Sequence, residues 1–152
     1  MTGLPLVVPH AARLSEGRLV DRYDRFVADV RFPDGRVERT HCVNPGRMEG
    51  LVRPGARVWV SAAPPERKRK LRWTLELLEP EPGLVVGANT AAPNRIARVA
   101  LEARAVRGLT AFDELVPERA YGAGSRVDFW LRRGRRETFV EVKNCHQIGR
   151  AS

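Results

Sequence analysis

The chain has 152 residues, 43% of them hydrophobic and 30% charged, with a formal net charge of +9. That length holds one ordinary domain or two small ones, and no run approaches the ~18–20 apolar residues of a membrane helix. Met1 to His10 lacks the basic stretch of a signal peptide, and two cysteines, Cys42 and Cys145, supply no disulfide framework. A reducing cytoplasm is the expected location. The positive surplus favours a polyanionic partner, through phosphate neutralisation and counterion release. All but three of the 27 basic residues (Lys68, Lys70 and Lys143) are Arg, the side chain suited to bidentate phosphate contacts. A compositional bias toward Arg would give the same count.

From Leu19 to Thr90 turn signals recur and the segments between them alternate. Phe26, Ala28, Val30 and Phe32 share one face of a predicted strand, with Asp29 and Arg31 on the other. Pro33-Asp34-Gly35 is a turn, because Pro presets φ and Gly accepts a positive one. A return strand over 36–43 follows. Loop signals at Asn44-Pro45-Gly46 and Arg53-Pro54-Gly55 bracket a short segment near Met48 to Leu51. Arg57 to Ser61 reads as a strand. Leu71, Trp73, Leu75 and Leu77 then alternate against Lys70, Arg72, Thr74 and Glu76, one face core and one wet. Leu84 to Val86 gives a fifth strand. Five short strands with Gly/Pro turns predict a small barrel of OB type, and an SH3-like barrel fits nearly as well.

Arg67-Lys68-Arg69-Lys70, continuing to Arg72, is the densest positive run. It suits a groove that tracks phosphates, although a solvated loop has the same composition. Trp73 falls on the apolar face. Trp59 alternates away from Val58 and Val60 and is the better candidate for stacking on a base.

In the second half, Pro93 suits the first turn of a helix. Ile96, Val99, Ala100, Ala103 and Val106 repeat with helical spacing until Gly108. An extended segment near Glu118 to Tyr121, a Gly122-Ala123-Gly124 turn and two alternating strands over 126–132 and 137–143 follow. Between those strands, Gly134 at the first central position suits a two-residue type II′ hairpin. That register pairs Arg133 with Arg136 and, stepping outward, Asp128 with Glu141, whose Cβ atoms would lie roughly 4.5–5.5 Å apart. Lys143 projects from the same face as Glu141. Two neighbouring carboxylates need a shared proton or a cation. A hard ion such as Mg²⁺ or Mn²⁺ takes oxygen ligands, here Asp128, Glu141 and the Val142 carbonyl. Such an ion would polarise a scissile phosphate and generate hydroxide, with Lys143 orienting the water or stabilising developing charge. An exposed hairpin bearing a Glu–Lys pair gives the same pattern. Zinc held by His41, Cys42, Cys145 and His146 is disfavoured, since adjacent His-Cys pairs lack the usual ligand spacing.

Several strings together resemble the sugar fermentation stimulation protein A family. They are Arg22 to Val30, His41 to Met48, Val86 to Thr90, Asn94-Arg95, Glu118 with Tyr121-Gly122, Ser125 to Phe129, and Val140 to Cys145. The resemblance implies an α+β chain of two domains, an OB-like β-barrel over 1–83 and a restriction-endonuclease-like domain of PD-(D/E)xK type over 84–152. It also implies DNA binding with little sequence preference, and a link to regulation of sugar (maltose) metabolism in bacteria. By position Asp128, Glu141 and Lys143 match the D…ExK residues. Glu118 matches an acidic residue ahead of them and so joins Asp128 and Glu141 as a metal ligand. Arg126 and Arg47, inside the matching strings, join Lys68, Arg69, Lys70 and Arg72 as nucleic-acid contacts. The resemblance is expected to stop after Cys145, where such a core continues with a helix and a parallel strand. The second domain is then incomplete, its Glu141 strand an open edge, and catalysis by this chain is in question. DNA, or RNA, is the expected partner, with no membrane and no small-molecule cofactor. The leading function is nucleic-acid binding with metal-dependent phosphodiester hydrolysis as the activity of the site; the alternative is a non-catalytic DNA-binding regulator.

Overall fold

The computed structural model describes residues 5–144 and divides after Thr90 into two units. The first, from His10 to Thr90, holds β1 (Leu14–Tyr23), β2 (Val27–Arg31), β3 (Val37–His41), β4 (Arg57–Ala62), β5 (Trp73–Glu81) and β6 (Leu84–Gly87). Their order is β3-β2-β1-β4-β5-β6, and a parallel β3–β5 pairing closes β1-β2-β3-β5-β4 into a ring. This is the five-stranded OB barrel, which leaves β6 as an added strand on the outside of β5. The sequence boundary between 83 and 84 falls inside the β5–β6 hairpin, whose strands pair with one another.

The sequence pattern does not predict β1, yet β1 is the hub. Its first half pairs with β4 from Leu14 to Arg18, and its second half pairs with β2 from Arg18 to Tyr23. One strand therefore serves both sides of the ring, bent by an irregularity between Leu19 and Asp21. Only Gly17 and Leu19 of its ten residues are buried, so no alternating apolar signal exists. Gly17 is there because nothing larger fits. A Cβ on it would lie 2.5 Å from Val30 Cγ1 and 3.0 Å from the Arg31 carbonyl oxygen.

Ala28, Val30 and Phe32 point into the barrel as their alternation predicts, but Phe26 lies before β2 and is exposed. In β5 the predicted face holds for Leu75 and then flips. The β4–β5 register slips between Trp59 and Val60, so Val60 faces Leu75 while Trp59 faces Leu77. This bulge turns Leu78 into the core and leaves Leu77 half-buried. Trp73 packs against the core as predicted, and its Nε1 donates to Glu38 Oε2 at 2.6 Å.

The loop after β3 is held by one side chain. Arg22 donates to the carbonyls of Arg25, Asn44, Gly46 and Arg47 at 2.8–2.9 Å. Asn44 Oδ1 in turn accepts the Gly46 N–H at 2.9 Å. Carbonyls that no strand pairs are thereby satisfied by a single guanidinium, whose fork suits several acceptors at once.

The second unit, from Ala91 onward with the residues up to Pro9, holds α1 (Ala92–Glu102), β7 (Glu114–Tyr121), β8 (Ser125–Arg133) and β9 (Arg136–Val140). The strands form an antiparallel sheet in the order β7-β8-β9. Pro93 stands in the first turn of α1 as its sequence predicts. The buried stripe differs from the predicted one. Ala97 and Leu101 pack with Phe129 and Leu131, whereas Ile96 is exposed. The helix ends at Glu102, and Arg104 adopts a positive φ of 55°, so Val106 reaches the core from a turn and not from a further helical repeat. Trp130 is buried on β8 under the Arg119 guanidinium, 3.5 Å from the ring centroid. No helix among the described residues is long and apolar enough to cross a membrane.

Candidate functional site

The hairpin register follows from its turn. Gly134 has φ 56° and Arg135 is not among the positive-φ residues, the type II′ pattern. Arg133 pairs with Arg136, and the ladder runs outward to Phe129 opposite Val140. The next step would set Asp128 opposite Glu141. There the ladder stops, short of the strand end at Lys143 that alternation predicts. The Val142 N–H donates to Asp128 Oδ2 at 2.7 Å, so a side-chain carboxylate takes the place of a backbone acceptor.

The other oxygen of Asp128 is equally fixed. Asn94 Nδ2 donates to Oδ1 at 2.7 Å. Asn94, Ala97 and Leu101 lie at i, i+3 and i+7, so they share one stripe of α1; the lower part of that stripe packs on β8 and its top reaches the carboxylate. Asp128 is half-buried and has its orientation set from two directions. Sequence reasoning places Asn94 in a family-like string but gives it no role at the site, because no local pattern announces a polar residue at the end of an apolar stripe.

Glu141 and Lys143 stand on either side of Val142, and Lys143 Nζ lies 2.8 Å from Glu141 Oε1. The hydrogen bond to Glu141 is the main cause that raises the Lys143 pKa, followed by the charge of Glu141 and then, beyond the opposing desolvation, that of Asp128. Lys143 thus stands beside Glu141 and within electrostatic reach of Asp128, and it stays cationic through neutral and mildly alkaline pH.

Glu118 is placed differently. It has a positive φ of 50°, and its exposed carboxylate lies 4.0 Å from Arg126 Nη1. With Asn94, Arg95, Arg98 and Asp128 it lines a cleft of about 380 Å³. Among the described residues no three His, Cys, Asp or Glu side chains converge as a metal-holding group, so Glu118, Asp128 and Glu141 do not close together on one ion, although Glu118 and Asp128 line the same cleft. The donors present suit a cation held by one or two carboxylates, with water and phosphate oxygens completing the shell, as is usual for Mg²⁺. They do not suit an all-protein cage. Of the zinc set, Cys42 is fully buried in the barrel core, and Cys145 and His146 lie outside the described residues.

In the first unit Arg67, Lys68, Arg69 and Arg72 line a cleft of about 300 Å³ with Ala63, Pro64 and Pro65. Lys70 belongs to the same exposed loop, and among the described residues none of these cations has a carboxylate partner. Arg47 projects from the loop that Arg22 fixes, beside Glu49 at 3.4 Å. Trp59 is on the outer face of the barrel, half-buried, with the Arg57 guanidinium 4.8 Å from its ring centroid. One face of that ring is therefore already covered.

Two family models match the chain: the SfsA N-terminal OB domain over residues 20–87, and the sugar fermentation stimulation protein RE domain over 91–151. The second match runs past Cys145, where the resemblance was expected to end. Sugar fermentation stimulation protein homologs are similar to this chain. The one from Methylobacterium radiotolerans is 50% identical over 93% of this chain and 60% of its own length. For Methylobacterium sp. (strain 4-46) the figures are 46%, 90% and 58%, and for Ruegeria pomeroyi 41%, 91% and 61%. The chain thus spans about three fifths of the curated relatives it matches. Among solved structures, Pyrococcus furiosus SfsA in complex with Ca²⁺ shares the fold, with a TM-score of 0.73 at 23% identity over 90% of this chain and 57% of that one. Two domain models in tandem, and relatives that match across both, lead to one assignment: the chain belongs to the sugar fermentation stimulation protein family.

Proposed function

We propose that this chain binds nucleic acid, DNA foremost and RNA as a second substrate, with little sequence preference. We further propose that its second unit is a nuclease-type site using Mg²⁺ or Mn²⁺. The observation that carries the reading is the fixed Asp128 carboxylate, oriented by Asn94 and the Val142 N–H, with Glu141 and Lys143 beside it. A hard cation at such oxygens would polarise a phosphodiester and lower the pKa of a bound water. The chain's own residues do the rest. Asn94 keeps Asp128 from rotating, Lys143 places a positive charge beside Glu141, and Arg95, Arg98 and Arg126 offer donors to phosphate. The Pyrococcus furiosus relative is described with Ca²⁺, a hard ion of the same class. Binding in the first unit falls to Arg47, Lys68, Arg69, Lys70 and Arg72, whose charges suit a sequence-indifferent backbone contact. Regulation of sugar metabolism would follow from DNA binding.

One observation favours the non-catalytic regulator as a second reading: a Glu141 oxygen is taken up by Lys143, and among the described residues no third carboxylate converges. DNA binding is common to both. Anisotropy of labelled duplexes of unrelated sequence, measured from low to moderate salt, tests it. Affinities should agree within about threefold between sequences, and log K should fall with log salt by about 0.9 for each phosphate neutralised. The pair Lys68→Glu and Arg69→Glu should cost about tenfold or more in affinity at low salt. An affinity indifferent to salt would contradict the proposal.

A further inference from the structure

The tip of the β8–β9 hairpin holds an arrangement that the Asp128 site does not use. Arg133 and Arg136 face each other directly across the ladder, and Arg135 occupies the turn between them. Opposed like charges destabilise a strand pair, so this placement works against the hairpin. Nearby carboxylates do not relieve it. Glu114 is committed to Arg132 at 2.7 Å. Asp113 Oδ2 accepts the Gly134 N–H at 2.9 Å and so fixes the turn backbone. Among the described residues Arg133, Arg135 and Arg136 have neither an ion pair nor a side-chain hydrogen bond.

Arg133 and Arg136, with Arg132 beside them, border a cleft of about 160 Å³, walled by Leu109, Phe112, Leu131 and Thr138. Arg133 and Arg136 lie on the Leu131 side of the ribbon, where the apolar face ends. Arg104 sits over Phe112, its guanidinium carbon 3.3 Å from the ring centroid, which brings a further cation next to a residue of the wall. Leu109, Phe112 and Leu131 keep water from one side of the arginines, which strengthens their attraction for an anion. Two opposed guanidinium forks match the oxygens of a phosphate.

We propose that this cleft is a second phosphate-binding site, which takes the phosphodiester backbone of nucleic acid between Arg133 and Arg136. The identity of the partner rests on the nucleic-acid reading above; the site itself rests on the hairpin. The full chain, the double variant Arg133→Thr and Arg136→Thr, and the double variant Arg133→Lys and Arg136→Lys are titrated with a labelled 20-mer duplex over a salt series. The Thr variant should bind about tenfold more weakly at low salt and lose about two from the slope of log K against log salt, while the Lys variant keeps the slope. The Thr variant's melting temperature should equal or exceed that of the parent, since relief of repulsion cannot destabilise the hairpin; a fall would assign the arginines a structural role and overturn the proposal. Parent and Thr variant binding with the same slope and affinity would overturn the cleft and leave DNA binding standing. A parent that binds no duplex would overturn the nucleic-acid reading and this proposal with it.

Discussion

Replacing Asp128 by Ala is expected to lower Mn²⁺-dependent nicking of supercoiled DNA by about a thousandfold, without weakening DNA binding. The size reflects what that carboxylate does. It is the half-buried, doubly anchored donor of the site, and removal of one charge-stabilising group from a preorganised site costs about 10²–10³ in rate. Loss of a cation ligand adds to this. DNA affinity measured without divalent cation should be unchanged or slightly tighter, because a negative charge near the backbone has gone. Ala would leave the Val142 N–H unpaired, so Asp128→Asn is the companion variant. It retains an acceptor oxygen for one of the two hydrogen bonds, with only a small loss of melting temperature expected, and lacks the charge a cation needs. Gel analysis of nicked product over time reads the effect. Equal nicking by parent and both variants would remove Asp128 from the chemistry.

Gly17→Ala should destabilise the barrel by about 1–3 kcal/mol, as insertion of a methyl group into a packed core does. For a unit of this size the melting temperature would fall by about 5–15 °C. The cause is local and double. The new Cβ meets Val30 Cγ1 at 2.5 Å and a backbone oxygen at 3.0 Å. Val30 is fully buried, and the oxygen belongs to β2, where the end of that strand pairs with β1. Gly87→Ala makes the control, because no atom lies within 4 Å of its added Cβ; its melting temperature should stay within about 3 °C. Thermal unfolding by circular dichroism separates the two. Similar melting of both variants would mean that β1 does not approach β2 as closely as described.

The second unit is the more legible in sequence, and the reason lies in turn chemistry. Gly134 admits one short hairpin, and that hairpin fixes which residue faces which over five successive pairs. The turn alone therefore aligns the two strands as far as Phe129 and Val140, one residue short of Asp128 and Glu141. What ends the ladder, the Val142 N–H turning to Asp128, is not legible, since a side chain competing for a backbone donor leaves no periodic trace. The roles of Asn94 and Arg22 are hidden for a related reason: their partners are 34 and up to 25 residues away. In the barrel, ring closure is expected from strand count and turns, but β1 carries its burial on Gly17 and Leu19 alone. The bulge in β5 exchanges Leu77 for Leu78, because a single extra residue reverses every face beyond it.

Cation binding at the Asp128 carboxylate is open to direct observation. The free Mn²⁺ signal in electron paramagnetic resonance would be followed as the ion is titrated into the full chain with a short, uncleavable DNA duplex present. We expect about one ion bound per chain beyond those held by the DNA alone, because carboxylates and phosphate together complete the shell. Asp128→Asn and Glu141→Gln should each weaken that binding by about tenfold or more. Retention of the same bound Mn²⁺ by both variants, or no bound ion beyond that of the duplex, would contradict a cation site built on Asp128 and Glu141.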